Sequence, residues 1–181
     1  MVNRRQHGVW RAVYRSLVAS SAVLFFFTLS ISPPTFAGEL VAFHSDAASG
    51  TIIVRTKERR LYLVLSKGRA LRYIVGVGRV GRQWAGKSFI VGKHVRPNWA
   101  PPREIKRDRP NLPDLIPSGS PANPMGAAAL TLSGGAYAIH GTNAPKSIGH
   151  FVSYGCIRMY NADILDLYHR VRLGTRVVVM P

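Results

Sequence analysis

Seven prolines within residues 96–123 limit most strongly the folds that this chain can adopt. Proline lacks the backbone N–H that helix interiors and central strands need, and its ring clashes with the preceding helical turn. The prolines are too closely spaced for a long helix or an interior strand to fit between them. We therefore predict a long ordered loop over residues 96–123 that crosses one face of the domain.

Short runs of β-branched and aromatic residues flank this loop on both sides. They alternate with the period of two that strands require, and turn residues such as Ser66, Lys67 and Gly68 separate them. Residues 161–168 instead have apolar side chains at helical spacing, with Asn161 as the expected N-cap. The pattern predicts a mainly β domain with a single convincing helix. The predicted strands cover residues 51–54, 60–65, 70–75, 88–91, 127–132, 137–140 and 176–180.

The first 37 residues have the layout of an export signal. Four arginines without any acid precede an apolar stretch over residues 17–31, which two prolines and the small Ala37 follow. This order predicts a secretory signal over residues 1–37, one domain over residues 38–181, and a periplasmic location. The uncharged stretch over residues 16–38 is just long enough to span a bilayer, so an uncleaved inner-membrane anchor is the less favoured alternative.

The charge of the exported part points to a polyanionic neighbour. Removal of residues 1–37 takes away four arginines and no acid, which lowers the formal net charge from +17 to +13. Outside the cytoplasm, the candidate partners are carboxylate-rich wall peptide, anionic lipid head groups or acidic surface polymers rather than nucleic acid. Solubility alone would also explain the charge, so composition does not choose among these partners.

Two glycine-rich patterns, at residues 76–81 and 81–88, match phosphate-binding motifs letter by letter. Both motifs need a helix directly after the glycines, because the N–H groups at its N-terminus hold the phosphate. The residues after Ser88 (FIVGKHV) indicate a strand instead. No acidic residue lies within residues 96–101, about twenty positions after the glycines of the first pattern, where ribose binding needs one. We predict no nucleotide binding.

Cys156 is the only cysteine of the chain, so an internal disulfide is excluded and a structural zinc cluster is disfavoured. A lone thiol is either a buried packing residue or a nucleophile. Gly155 lets another backbone approach closely and leaves the N–H groups of Gly155 and Cys156 free to face a substrate oxygen. Arg158 supplies positive potential nearby. We therefore interpret Cys156 as a catalytic nucleophile.

Two histidines compete for the role of its base. His140 ends an apolar run, so a strand would hold its ring in one place, whereas His150 lies in a predicted loop and ranks second. No Asp or Glu lies between Asp114 and Asp163, so the backbone carbonyl of Gly141 is the expected group that orients the His140 ring. The remaining histidines lack neighbours at ligand spacing, and we predict no metal and no cofactor.

Two motifs, IHGTN at residues 139–143 and SYGCIRM at residues 153–159, resemble the signature of the L,D-transpeptidase catalytic domain of the YkuD type. The resemblance extends over about residues 51–180 and includes the proline-rich loop. It implies a mainly β, sandwich-like catalytic domain with a long proline-rich loop and one or two short helices.

The resemblance also implies an activity on peptidoglycan. Members of the family use a cysteine to attack the carbonyl of the third stem-peptide residue, usually meso-diaminopimelate, and release the terminal D-alanine. The acyl group then passes to an amine of a neighbouring stem and forms a 3→3 cross-link. A thiolate beside an imidazolium would be the nucleophile at neutral pH. The implied roles are nucleophile for Cys156, proton acceptor and donor for His140, orienting carbonyl for Gly141, oxyanion N–H groups for Tyr154, Gly155 and Cys156, and substrate binding for Ser153 and Arg158.

The sequence departs from the family pattern in two places. Tyr154 stands where the family commonly has a histidine, and we expect it to contribute only its backbone N–H. Residues 82–86 replace the usual proline-containing turn, which we expect to alter a loop rather than the chemistry.

Three other functions remain open. The acyl acceptor could be water, which would make the protein an L,D-carboxypeptidase or endopeptidase, or it could be an outer-membrane protein. The chain could also be a non-catalytic wall-binding module, which the intact His140, Gly155, Cys156 and Arg158 disfavour.

Overall fold

The computed structural model of the chain describes residues 37–181, so the predicted export signal lies outside the described residues apart from Ala37. The first six strands are β1 Glu39–Ala42, β2 Ile52–Arg55, β3 Arg60–Val64, β4 Arg69–Ile74, β5 Val77–Gly78 and β6 Gly86–Val95. The remaining strands are β7 Ala128–Leu132, β8 Ala138–His140, β9 Phe151–Ser153, β10 Ile157–Arg158 and β11 Arg176–Met180. The helices are α1 Arg103–Asp108, a short 3-10 helix Pro145–Ser147, and α2 Asn161–Arg170. Within residues 37–181, no helix is both long and apolar enough to cross a membrane.

Nine of the strands form one large sheet in the order β1-β4-β3-β2-β11-β6-β7-β8-β10, and β5 pairs with β9 in a small parallel sheet. The predicted mainly β fold is therefore confirmed. Most predicted strands agree with the structure to within one residue at each end. The exception, β6, is longer than predicted and forms a strand where a P-loop would need the start of a helix.

Strand β6 is bent, and the two halves of the large sheet that it joins both face the main core. Its first half pairs with β11 and its second half with β7, and the register shifts between Ile90 and Gly92. A β-bulge of this kind bends a strand and increases its twist. The main core therefore takes buried side chains from both halves of the sheet, including Ile52 and Val177 on one side and Leu130 and Ile139 on the other.

Helix α2 covers β7 and β8 and buries Ile164 and Leu167 completely. The prediction of a helix here is confirmed, but Asn161 is not its N-cap. Tyr160 occupies the N-cap position and makes no capping side-chain hydrogen bond. Asn161 is the first helical residue, and its side chain instead holds two neighbouring loops, as described below.

The proline-rich loop is ordered by its own hydrogen bonds. Trp99 and Ile116 exchange backbone hydrogen bonds of 2.9 and 2.8 Å, which join its two ends. The Asn123 side-chain amide donates to the carbonyls of Pro97, Ile116 and Pro117 at 2.9 to 3.3 Å. The loop also contains α1, a six-residue helix that begins after Pro102 and was not placed there by the sequence pattern.

Candidate active site

Parallel pairing of β8 with β10 brings the two sequence motifs together. Arg158 lies in register with His140, and Ile157 lies in register with Ile139. Residues in register share a face of the sheet, and successive residues alternate between faces. Ile139 and Ile157 therefore enter the core, whereas His140, Arg158 and Cys156 line one cleft on the opposite face.

The walls of this cleft are mostly apolar. Met125 and Tyr137 line its sides, and Trp99, Pro102 and Ile105 from the proline-rich loop cover it. We call residues 99–108 the roof. His150, the second candidate base, is exposed and does not line the cleft. Within residues 37–181, no three His, Cys, Asp or Glu side chains are grouped as metal ligands would be.

The His140 ring is buried and fixed by backbone carbonyls. Its Nδ1 lies 2.7 Å from the carbonyl oxygen of Gly141, the arrangement that was predicted. Because a carbonyl only accepts, Nδ1 carries the proton. Burial lowers the pKa of His140 to about 4, and the charge of Arg158 adds to this effect, while the carbonyls of Gly141 and Pro124 act against it. At neutral pH the imidazole is uncharged and can accept a proton.

The environment of Cys156 favours the protonated thiol at neutral pH. Burial raises the pKa of Cys156, and the N–H of Ala138 and the charge of Arg158 offset this only in part. Within the described chain no hydrogen bond joins its Sγ to the His140 ring, and the Sγ instead lies 3.9 Å from the carbonyl oxygen of Ala136. Burial thus disfavours a thiolate–imidazolium pair before substrate binds. Catalytic hydrogen bonds often tighten only when substrate binds.

The turn before Cys156 uses Ser153 differently from the prediction. The Ser153 hydroxyl donates to the carbonyl of Cys156 at 2.6 Å and accepts the N–H of Gly155 at 3.1 Å. Ser153 is 1% exposed, so its hydroxyl holds the turn and is not available to bind substrate. The N–H of Gly155 is also occupied. The N–H groups of Tyr154 and Cys156 have no hydrogen-bond partner among residues 37–181 and remain available to an oxyanion.

Arg158 is the buried cation of the cleft. Its Nε has no hydrogen-bond partner in the described part of the chain, and its Nη1 lies 3.5 Å from the Ser147 hydroxyl. Burial lowers the pKa of Arg158, and the nearby charge of Arg109 lowers it further. A half-buried guanidinium that lines the cleft is suited to bind a carboxylate.

Residues 49–179 match the family model of the L,D-transpeptidase catalytic domain, named YkuD. The chain belongs to the L,D-transpeptidase family. This family consists of acyltransferase enzymes, and the resemblance inferred from the two motifs is confirmed.

Similar proteins extend this assignment across most of the described domain. A probable L,D-transpeptidase, ErfK/SrfK, of Escherichia coli K12 is 38% identical over 144 residues, covering 75% of this chain and 45% of the relative. The putative L,D-transpeptidase YkuD of Bacillus licheniformis is 55% identical over 62 residues, covering 34% of this chain and 38% of the relative. The chain thus spans less than half the length of these curated relatives.

The similarity to solved structures concerns the fold alone, because the sequence identities are low. An Enterococcus faecium L,D-transpeptidase superposes with a TM-score of 0.58 at 16% identity, covering 74% of this chain and 50% of that one. An L,D-transpeptidase from Mycobacterium tuberculosis H37Rv gives a TM-score of 0.57 at 14% identity, covering 74% and 58%.

Trp84 and Tyr137 support the cysteine turn of this L,D-transpeptidase domain, and sequence reasoning did not assign them a role. Their rings stack with centroids 5.0 Å apart, and the Trp84 indole donates to the carbonyl of Gly155 at 3.0 Å. A Cβ on Gly155 would lie 2.3 Å from the Tyr137 ring, and its φ of +120° also requires glycine. Trp84 lies in the segment that departs from the family pattern, which is the one signal that could have identified it.

Asn161 fixes the backbone around His140. Its Oδ1 accepts the N–H groups of Ala127 and Thr142, both at 3.0 Å, and its Nδ2 donates to the carbonyl of Thr142 at 3.1 Å. A Cβ on Gly141 would lie 2.3 Å from the same Oδ1, so only glycine fits there. Asn161 therefore holds the segment whose Gly141 carbonyl orients His140.

We expect the rate of Cys156 alkylation by iodoacetamide in the free protein to rise with pH through a midpoint above the ordinary value for a thiol. Burial raises the pKa of Cys156, so the reactive thiolate forms only at more alkaline pH. The same protein unfolded in guanidinium chloride is the control and should show the ordinary midpoint. A midpoint below neutral pH in the folded protein would instead demonstrate a preformed thiolate–imidazolium pair.

Proposed function

We propose that this protein is an exported cysteine L,D-transpeptidase that acts on peptidoglycan stem peptides in the periplasm. One observation carries the proposal: β8 and β10 place His140, Cys156 and Arg158 on one face, inside an otherwise apolar cleft. The N-terminal sequence supports export, and the positive charge suits a carboxylate-rich substrate.

The first half-reaction forms a thioester. The Cys156 Sγ attacks the meso-diaminopimelate carbonyl of a tetrapeptide stem while the neutral His140 accepts the thiol proton. The oxyanion of the tetrahedral intermediate faces the N–H groups of Tyr154 and Cys156, which are free in the described chain. Collapse of the intermediate breaks the peptide bond, and His140 returns the proton to the departing D-alanine amine.

The second half-reaction consumes the thioester. The side-chain amine of a neighbouring stem attacks the acyl carbon, His140 accepts a proton from this amine, and the Cys156 thiolate leaves. Return of the proton to sulfur regenerates the enzyme and leaves a 3→3 cross-link. Arg158 would bind a stem carboxylate next to the reacting carbonyl, because this half-buried cation lines the cleft together with Cys156.

The product of the reaction tests this proposal against its alternatives. The protein is incubated with isolated peptidoglycan, the wall is digested with muramidase, and the muropeptides are measured by mass spectrometry. We expect 3→3 cross-linked dimers and free D-alanine. Tripeptides without dimers would identify water as the acceptor, and a muropeptide carried by an outer-membrane protein would identify a protein acceptor. An unchanged muropeptide profile would leave only a wall-binding role.

We also expect a carbapenem to acylate the protein once. The thiol should open the strained β-lactam carbonyl as it opens the stem peptide, because both reactions need the same nucleophile and base. Intact-mass analysis should show a single adduct, and digestion should locate it on the peptide that contains Cys156. A folded protein without any adduct would contradict the assignment of a competent nucleophile.

A further inference from the structure

The α1 part of the roof over Cys156 is not held by the core. Helix α1, at the end of the roof, has no buried residue. The roof nevertheless supplies Trp99, Pro102 and Ile105 to the cleft wall. Side chains that shape a cleft must be kept in place by some other contact.

Three side-chain contacts join α1 to the segments beside the cysteine turn. The Tyr154 hydroxyl donates to Asp108 Oδ2 at 2.8 Å, and Arg79 Nη2 lies 3.2 Å from the same oxygen. The Arg79 guanidinium also lies over the Tyr154 ring, 4.1 Å from its centroid. At the other end of α1, Glu104 forms an ion pair with Arg82.

These contacts act as a unit. A single exposed ion pair contributes little to stability, because water and salt screen it and both side chains lose freedom. Here one carboxylate oxygen accepts two donors, and the cation of one donor stacks on the ring of the other. The hydrogen bond from Tyr154 and the ion pair with Arg79 lower the pKa of Asp108, so the carboxylate stays charged at neutral pH.

We propose that Tyr154 is a positioning residue: with Asp108 and Arg79, its side chain holds the roof closed over Cys156 so that the cleft fits the donor peptide. This inference rests on the proposed function and adds a role for the residue that departs from the family pattern. It corrects the expectation that Tyr154 contributes only its backbone N–H. A histidine at this position has no phenolic hydroxyl to reach Asp108.

Two conservative variants test the proposal, Tyr154→Phe and Asp108→Asn. Tyr154→Phe keeps the ring and the backbone N–H that faces the oxyanion, and it removes only the hydroxyl. The matched control is Asp114→Asn, because Asp114 is also an ion-paired acid of the proline-rich loop but contacts Lys106 within that loop. Thermal unfolding of each variant confirms that it is folded.

Donor binding should weaken in these variants while a small reagent reaches Cys156 more easily. We expect the KM for a tetrapeptide donor to rise about five- to tenfold in both variants with little change in kcat, the scale of a lost charge-assisted hydrogen bond. Alkylation of Cys156 by iodoacetamide should become severalfold faster, because a small reagent gains access when the roof loosens. The double variant should lose no more than Asp108→Asn alone, since Asp108→Asn already weakens the contacts with both Tyr154 and Arg79. Asp114→Asn should match the unaltered protein.

Two outcomes would overturn the proposal. The first is that Tyr154→Phe and Asp108→Asn behave like Asp114→Asn in both measurements. The second is that alkylation slows together with donor acylation, which would show distortion of the cysteine turn rather than loss of the roof. Failure of the proposed function would look different, because the unaltered protein would then show no donor turnover. The alkylation rates would still report on the roof in that case.

Discussion

We expect Cys156→Ala to abolish both thioester formation and D-alanine release. Alanine has no atom that can attack the stem carbonyl, and Cys156 is the only thiol in the chain. Loss of the nucleophile in covalent enzymes reduces turnover by on the order of 10⁶-fold, so activity should fall below detection. D-alanine release from a tetrapeptide stem and the mass of the protein after carbapenem treatment are the two measurements.

The fold should survive this change. Cys156 is only partly buried and belongs to neither core cluster of residues 37–181, so the melting temperature should shift by no more than about 4 °C. Cys156→Ser is the matched control, because it keeps the size of the side chain and replaces sulfur with a much weaker nucleophile. Turnover of Cys156→Ala comparable with that of the unaltered protein would remove Cys156 from the mechanism.

The long strands could be predicted from the sequence because each carries its own pattern. β2, β3, β4, β7 and β11 have four to six residues, enough for apolar alternation to show. β5 and β10 have two residues each and exist because distant segments pair with them. No local pattern encodes such a strand, so β5, β9 and β10 were missed. The exposed edge strand β1 was missed because burial imposes little pattern on it.

The two α-helices show where a local sequence pattern fails to predict the structure. Asn161 has a strong preference for the N-cap position, but its side chain makes three hydrogen bonds to Ala127 and Thr142 instead. Those backbone partners lie in loops that the sequence pattern did not place beside α2. Helix α1 follows Pro102 and has only six residues. These are too few for a helical spacing of apolar side chains to be recognised in the sequence.

Within the site, the motifs identified residues that line the cleft but not the contacts that hold them in place. The predicted contact of His140 with the Gly141 carbonyl is present, because it joins neighbouring residues of one strand end. Trp84 contacts Gly155 across 71 positions, and Tyr154 contacts Asp108 across 46. Only the folded chain brings these pairs together. The hydrogen bond from Gly155 to Ser153 is local, but a glycine was assumed to leave its N–H free.

The protonation state also needed the structure. A cysteine and a histidine in one motif suggest an ion pair, yet burial disfavours both charged forms and the Arg158 charge further disfavours the imidazolium. Both neutral forms are therefore favoured before substrate binds. In the proposed mechanism, attack by Sγ is coupled to proton transfer to His140, which is why we expect His140 to matter most near neutral pH.

The second large effect is expected for His140→Ala, which should slow donor acylation by on the order of 10² to 10⁴ at neutral pH, the usual scale for loss of a positioned proton acceptor. His150→Ala is the matched control and should have little effect, because His150 is exposed and outside the cleft. Both rates are measured with a tetrapeptide donor under single-turnover conditions.

The pH dependence separates a lost base from a damaged fold. His140 is 4% exposed, so its removal leaves a cavity and lowers stability, and activity alone would not distinguish the two causes. Iodoacetamide alkylation at a pH above the pKa of Cys156 needs no base, since the thiolate is already formed. We expect His140→Ala to alkylate there at nearly the rate of the unaltered protein. A large loss from His150→Ala beside a mild loss from His140→Ala would instead assign the base to His150.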